Sequence, residues 1–146
     1  MSVGIEAVEG LRFLDATLRA SSTFMAAVPG GLWHGLNTSL PQGVFPDNIF
    51  CVYQHMAGSD DMGGGGIRIG TTGVFLVKVV GPGSNVDAIQ SVTNLMDAAL
   101  QGASGTTANG LIYYFLRQSS QVLPQIVNAR LALSTLSQYR SYLQGS

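Results

Sequence analysis

Adjacent aspartates and a run of four glycines form the stretch whose residue types could do chemistry. The stretch consists of Asp60, Asp61, Met62, Gly63, Gly64, Gly65 and Gly66. Glycine-rich loops can wrap backbone N–H groups around a phosphate, and carboxylates can hold a hard cation. A Walker-type loop also needs Lys and then Ser or Thr directly after the glycines, and it must open a helix. Here the strand-like Ile67-Arg68-Ile69 follows, so the pattern favours a hairpin tip, in which glycines supply positive φ angles.

The other chemistry-bearing residues are scattered along the chain. His34 and His55 have no His, Cys or Asp partners at metal-ligand spacing, and two adjacent aspartates alone make a weak cation cage. No Gly-x-Ser-x-Gly elbow is present. Cys51 is the single cysteine and lies in an apolar run, which is typical of a buried thiol. We therefore expect no enzyme activity, no catalytic residue, no metal and no cofactor.

The composition points to a protein whose surface is covered by other subunits. The 146 residues fit one domain, residues 1–146, and only 10% of them are charged, against about 25% in ordinary domains. The net charge of −1 and the scattered basic residues give no nucleic-acid footprint. No window is apolar enough to predict a membrane span, and the N-terminus does not resemble a signal peptide. A surface rich in Gly, Ser and Thr is the alternative explanation.

Two amphipathic helices are predicted. In residues 4–20 the apolar stripe contains Val8, Leu11, Leu14 and Leu18. Asp15 interrupts this stripe, and Phe13 points away from it. The second helix is Val86–Gln101, with Ser84 and Asp87 at capping-box spacing and Gly102 suited to a left-handed C-terminal residue.

Three strands are well defined by β-branched and aromatic residues. They are Asn48–Met56, Gly73–Val80 and Leu111–Gln118, and a short strand at Leu32–Leu36 precedes them. The long strands are apolar on both faces, so the sheet needs a second covering layer. Residues 127–144 fit either a helix or a bent strand. The candidate apolar contacts between subunits are Phe13, Trp33, Tyr113 and Phe115, although Trp33 also suits a lid on the core.

Read in order, the segments resemble the tail-terminator (tail-completion) proteins of long-tailed bacteriophages. The matching motifs are Pro41-Gln42-Gly43, Val52-Tyr53-Gln54, Val77–Gly81 before the second helix, and Tyr139-Arg140. The resemblance spans about residues 5–144, and its specificity lies in the order of the motifs. Ser137-Gln138 stands where the family usually has a glycine pair before a terminal strand.

The resemblance implies an α+β ring-forming subunit, with two helices on one face of a mixed or mainly antiparallel sheet of about four to five strands. It implies a homo-oligomeric, hexameric ring in the virion neck, assembled from subunits made in the host cytoplasm. Such rings cap the tail tube, stop its growth and contact the tube protein and the head-completion (stopper) protein. Genomic DNA passes through the lumen without sequence-specific binding. The loop Asp60–Gly66 would then meet the tube, a neighbour or the lumen.

Two other functions are compatible with the sequence. One is a different neck or tail ring component, a head-completion or tail-tube protein, which shares the ring architecture. The other is a small ligand-binding domain that uses the glycine-rich loop.

Overall fold

The computed structural model of the chain describes residues 3–35, 48–62, 64–66, 68–107, 110–127 and 130–145. The helices and strands that follow are named in chain order. They are α1 (Val3–Ala20), α2 (Ser22–Ala27), β1 (Leu32–His34), β2 (Phe50–Met62), β3 (Arg68–Pro82), α3 (Val86–Leu100), β4 (Gly105–Thr107), β5 (Gly110–Val127) and β6 (Arg130–Gly145). A 3-10 turn, Gly64–Gly66, separates β2 from β3.

The strands form one mixed sheet in the order β1-β2-β3-β6-β5-β4. Among the described strands, β1 and β2 form the one parallel pair, and the other four pairs are antiparallel. The α+β class and the mainly antiparallel sheet are confirmed, but the sheet has six strands, not four to five. The short strand predicted at Leu32–Leu36 is β1, whose described residues are Leu32–His34, and the segment whose type was left open is β6. The three-residue strand β4 was not predicted.

The segment whose type the sequence left open is the strand β6, which lies between β3 and β5. The sequence pattern of this segment fits both a helix and a strand for a physical reason. Small polar side chains are buried in this central strand, among them Ser134, Thr135, Ser137 and Ser141. Buried serines and threonines interrupt the alternation of apolar and polar residues that marks a half-buried strand. The Thr135 hydroxyl is within 2.6 Å of the Thr93 hydroxyl in α3, which satisfies both groups.

The helices pack on one face of the sheet and enclose the main core. Fully buried members of this core include Leu14 and Leu18 from α1, Met96 and Leu100 from α3, and Phe75 from β3. A short helix that was not predicted, α2, begins after Ser21, whose hydroxyl accepts a hydrogen bond from the Phe24 N–H. Its six residues are too few to show a helical period in the sequence.

The ends of α3 differ in part from the predicted caps. The N-cap residue is Asn85, without a side-chain capping bond, so the capping box expected at Ser84 is wrong. The backbone N–H of Asn85 is instead bonded to the carbonyl of Pro82 in the turn after β3. At the other end Gly102 has φ +78, as predicted for a left-handed residue after the helix.

Candidate assembly surfaces

The glycine run lies at the tip of a long hairpin, as its residue types predicted. Gly65 and Gly66 have positive φ angles of 74 and 76. A Cβ built at Gly64, Gly65 or Gly66 would have no atom within 4 Å, so each of these glycines has open space where a side chain would begin. Gly63 lies outside the described residues. Because β3 follows the turn, the loop has no helix N-terminus at which a phosphate would be held.

The two aspartates belong to β2 and not to the turn, which corrects their assignment to the loop. Asp60 is paired with Thr71 and Asp61 with Gly70. Asp61 Oδ2 accepts a hydrogen bond of 2.8 Å from the hydroxyl of Thr72 on β3. Met62 closes the strand and is 57% exposed. An acidic strand end therefore precedes the bare glycine turn.

No metal centre is formed within the described part of the chain, where no group of three or more His, Cys, Asp or Glu residues is close enough to hold an ion. His34 lies in β1 with its ring 5.3 Å from that of Tyr53. His55 packs edge-on against Phe75, and burial lowers the pKa of His55. The Cys51 thiol is completely buried, which raises its pKa. The imidazole of His55, which lies against the Phe75 ring, and the buried thiol of Cys51 therefore contribute to the packing of the core.

Two of the aromatic candidates pack inside the subunit. Phe115 is completely buried in the main core, so its side chain does not reach a neighbouring subunit. Phe13 stacks on it, with ring centroids 5.7 Å apart and planes 4° from parallel. Phe13 lies off the main stripe of α1, yet it is partly buried because β4 and β5 also contact that helix. The expectation that it points outward fails for this reason.

The remaining aromatic candidates lie at the two sides of the sheet. Trp33 in β1 is 39% exposed, and its Nε1 donates to the Gly30 carbonyl at 2.8 Å. Tyr113 lies in β5, and its role in subunit contacts stays a prediction. An irregularity between Ile112 and Phe115 places both of these residues in the core. In a regular strand residues 112 and 115 would lie on opposite faces, so this part of β5 departs from regular alternation.

The sheet face opposite the helices is the less buried one. A small separate cluster of Phe50, Val80 and Ala132 lies at one end of it. Half-buried residues continue across the face, among them Leu76 and Lys78, and burial lowers the pKa of Lys78. Within the described residues, no helix side chain belongs to the cluster on this face. The two-sided apolar pattern of the strands thus corresponds to a partly open second face.

Two tyrosine–aspartate hydrogen bonds join the helices to the sheet. Tyr53 donates to Asp15 of α1 at 2.8 Å, and Tyr139 donates to Asp97 of α3 at 2.7 Å. Burial and the aspartate acceptor raise the pKa of each tyrosine, so both phenols stay protonated and act as donors. Sequence reasoning did not find these pairs, although Asp15 within an apolar stripe was a signal for the first.

No helix in the described ranges is long and apolar enough to cross a membrane. No protein-family model and no curated protein sequence matches the chain. The fold is similar to that of a solved chain in the virion of a native gene transfer agent particle, with a TM-score of 0.71 and 15% identity. That alignment covers 96% of this chain and 98% of the other. A second solved structure has a TM-score of 0.55 at 16% identity and covers 92% of this chain and 95% of its own length. At such identities the likeness establishes a shared fold.

Proposed function

We propose that this chain is a structural protein of a phage-like virion, a single domain that forms the tail-terminator ring of the neck. The observation that carries the proposal is the end-to-end fold similarity to a chain from a gene transfer agent virion, with 96% of this chain covered and a TM-score of 0.71. The ordered motifs from Pro41 to Arg140 support the more specific assignment to a terminator.

The chemistry of the surface supports an assembled subunit. Only 10% of residues are charged, and large apolar side chains are exposed on the strands at both sides of the sheet, such as Met56 on β2 and Val122 on β5. Apolar area of this kind is favourably removed from water when neighbouring subunits cover it. A closed ring buries such surfaces on every copy, because each subunit presents two different patches to its neighbours.

In this function the protein acts by shape and needs no cofactor or catalytic group. A hexameric ring closes on the finished tail tube, and the covered tube end no longer accepts tube protein. The opposite side of the ring receives the head-completion protein, and genomic DNA passes through the lumen. The hairpin tip at Gly64–Gly66 projects bare backbone, which makes it a suitable element for contact with the tube.

The experiment is assembly of the purified protein, alone and with tail-tube subunits. Native mass spectrometry is expected to give one ring stoichiometry, and negative-stain microscopy is expected to show tubes that carry a ring at one end and stop growing. Tubes with an excess of ring protein are expected to be shorter than tubes without it. A protein that stacks into tubes by itself is a tube protein, and a strict monomer that never caps tubes contradicts the proposal.

A further inference from the structure

Within the residues that the structure describes, the sheet has an open backbone edge on each side. The flanking strand β1 pairs only with residues 51–53 of β2, and β4 pairs only with residues 110–112 of β5. Among the described residues, no strand lies beside β2 from Gln54 to Met62 or beside β5 from Ser119 to Val127. Unpaired edges of this length are templates for addition of another strand.

Exposed apolar side chains lie on both edges. The segment Ser119–Val127 contains no charged residue, and in it Val122 is 58% and Ile126 77% exposed. On the other edge Met56 is 52% exposed. Soluble monomers usually protect an edge with lysine, with proline or with a short strand. Only Pro124 protects this part of β5, and it limits an added strand to the five residues before it.

We propose that β5 of one subunit pairs antiparallel with β2 of the next subunit, with Ser119 opposite Ser59, an arrangement that rests on the proposed ring. The strand directions allow it. Each of the pairs β2–β3, β3–β6 and β6–β5 is antiparallel, so β2 and β5 run in opposite directions. A neighbour related by rotation in the ring therefore brings its β2 against β5 in the antiparallel sense.

The register is chosen by apolar complementarity and by the face on which each side chain lies. With Ser119 opposite Ser59, the exposed Val122 lies beside the exposed Met56. In the other direction along the strands, Arg117 comes level with Asp60 and Asp61, but its side chain lies beside Asp97 on the helix face, whereas Asp61 is bonded to Thr72 on the opposite face. The register therefore does not depend on a charge pair. A shift by one residue in either direction would place Ser59 and Ser119 on opposite faces of the joined sheet.

The offset between neighbours is compatible with a closed sheet. Ser119 is paired with Gln138 of β6, and Gln138 is paired with Leu76 of β3. Ser59 is paired with Thr72 of β3, four residues before Leu76. Four residues along β3 correspond to about 13 Å, and four strands correspond to about 19 Å across the sheet. The resulting strand tilt is about 35°, at the edge of the range of about 35–45° that is typical of closed sheets.

Disulfide trapping tests the seam directly. Ser59 and Ser119 are both exposed, and the only native thiol, Cys51, is completely buried. Within one subunit β3 and β6 separate the two serines, so they are at least about 14 Å apart, beyond the Cα separation of about 4.4–6.8 Å that a disulfide needs. In the double variant Ser59→Cys/Ser119→Cys, mild oxidation of the assembled protein is expected to give a ladder from dimer up to the full ring on a non-reducing gel. More than half of the chains are expected to be cross-linked.

Matched variants separate the seam from chance contacts. Ser59→Cys alone, Ser119→Cys alone and Ser22→Cys/Ser119→Cys, with Ser22 exposed on α2, are expected to stay uncross-linked. An equimolar mixture of the two single variants is expected to stop at dimers. Dimers from Ser119→Cys alone would indicate a twofold contact and overturn the proposal. A ring seen by native mass spectrometry without cross-linking overturns the seam but leaves the proposed function, whereas absence of any ring contradicts both.

Discussion

The hydroxyl of Tyr139 donates to Oδ1 of Asp97 across 2.7 Å, and it joins the central strand β6 to α3 over a sequence separation of 42 residues. Arg117 of β5 lies 3.7 Å from the same carboxylate oxygen. Three elements, β5, β6 and α3, therefore meet at one aspartate, and the Tyr139 side chain is completely buried. A hydrogen bond with a charged acceptor in such a place fixes how the helix lies on the sheet.

Replacement of Tyr139 by Phe is expected to lower the free energy of unfolding by about 1–3 kcal/mol, because Asp97 loses a charge-assisted hydrogen bond while the ring packing is kept. The measurement is urea unfolding followed by circular dichroism, with the midpoint and slope compared to wild type. Tyr114→Phe is the control, since Tyr114 is 56% exposed, and its midpoint is expected to stay unchanged. Equal midpoints for both variants would show that the Asp97 bond contributes nothing.

Stability is expected to fall above about pH 10. The pKa values of Tyr53 and Tyr139 are raised in the folded protein from the ordinary value of 10.0, mainly by burial and then by their aspartate acceptors. The stabilising contribution is complete below pH 10.0, and it is lost as the pH rises from there through the higher folded-state pKa, because the unfolded chain then releases protons first. Melting temperatures between pH 8 and pH 11.5 measure it.

The matched variant for this pH dependence is Tyr53→Phe/Tyr139→Phe. It is expected to melt at a lower temperature than wild type at pH 8 and to lose less on further alkalinisation, so that the two curves converge. Parallel curves would mean that neither tyrosine has a raised pKa in the folded state. Buried Cys51 is present in both proteins and its titration cancels in the comparison.

The parts of the fold that local periodicity determines could be predicted from the sequence. The helix α3 and the hairpin of β2 and β3 have clear apolar periods and turn residues at their ends. The strand β6 could not be predicted, because its buried Ser137 and Ser141 are accepted only through contacts with elements distant in sequence. The position of Phe13 failed for the same reason, since β4 and β5 cover a second side of α1 that one helical stripe does not reveal.

The candidate surfaces were predictable in part. The glycine turn follows from residue types alone, whereas the place of Asp61 in β2 depends on its partner Thr72 across the hairpin. The open edges of β2 and β5 could not be predicted from the sequence, because strand order decides which strands lie at the sides of a sheet. Alternation also failed at Phe115, where one irregularity in the pairing with β6 returns the side chain to the core.

Alanine substitutions in the hairpin tip are expected to separate the effect of backbone strain on stability from the effect of side-chain packing. Gly64 and Gly65 both have open space where a Cβ would lie, but only Gly65 of the two has a positive φ. Gly65→Ala is expected to cost about 1–2 kcal/mol in chemical unfolding, since a left-handed conformation is unfavourable for alanine. Gly64→Ala is expected to stay within about 0.5 kcal/mol of wild type. The reverse order of the two midpoints would contradict the turn geometry.

The thiol of Cys51 is expected to be inert in the folded protein. It is fully buried and its pKa is raised by that burial, so the reactive thiolate is scarce. Titration with a chromogenic disulfide reagent at pH 8 is expected to label less than about a tenth of the thiols in an hour under native conditions. One thiol per chain is expected to react in denaturant. Rapid native labelling would show that β2 opens locally and exposes the thiol.

Close contact between α1 and the sheet is expected to make a normally favourable helix substitution destabilising. A Cβ at Gly10 would lie 2.5 Å from Cζ of Phe75, which is itself completely buried. Gly→Ala in a helix usually gains about 1 kcal/mol, but overpacking of a core costs about 1–3 kcal/mol. We expect Gly10→Ala to lower the free energy of unfolding, whereas the control Ala16→Gly on the exposed side of α1 reports the helix propensity alone.

Adding Phe75→Leu makes room for the new methyl group, so the double variant is expected to be more stable than the sum of the two single effects by at least about 0.5 kcal/mol. Strict additivity in urea unfolding would show that Gly10 and Phe75 do not touch.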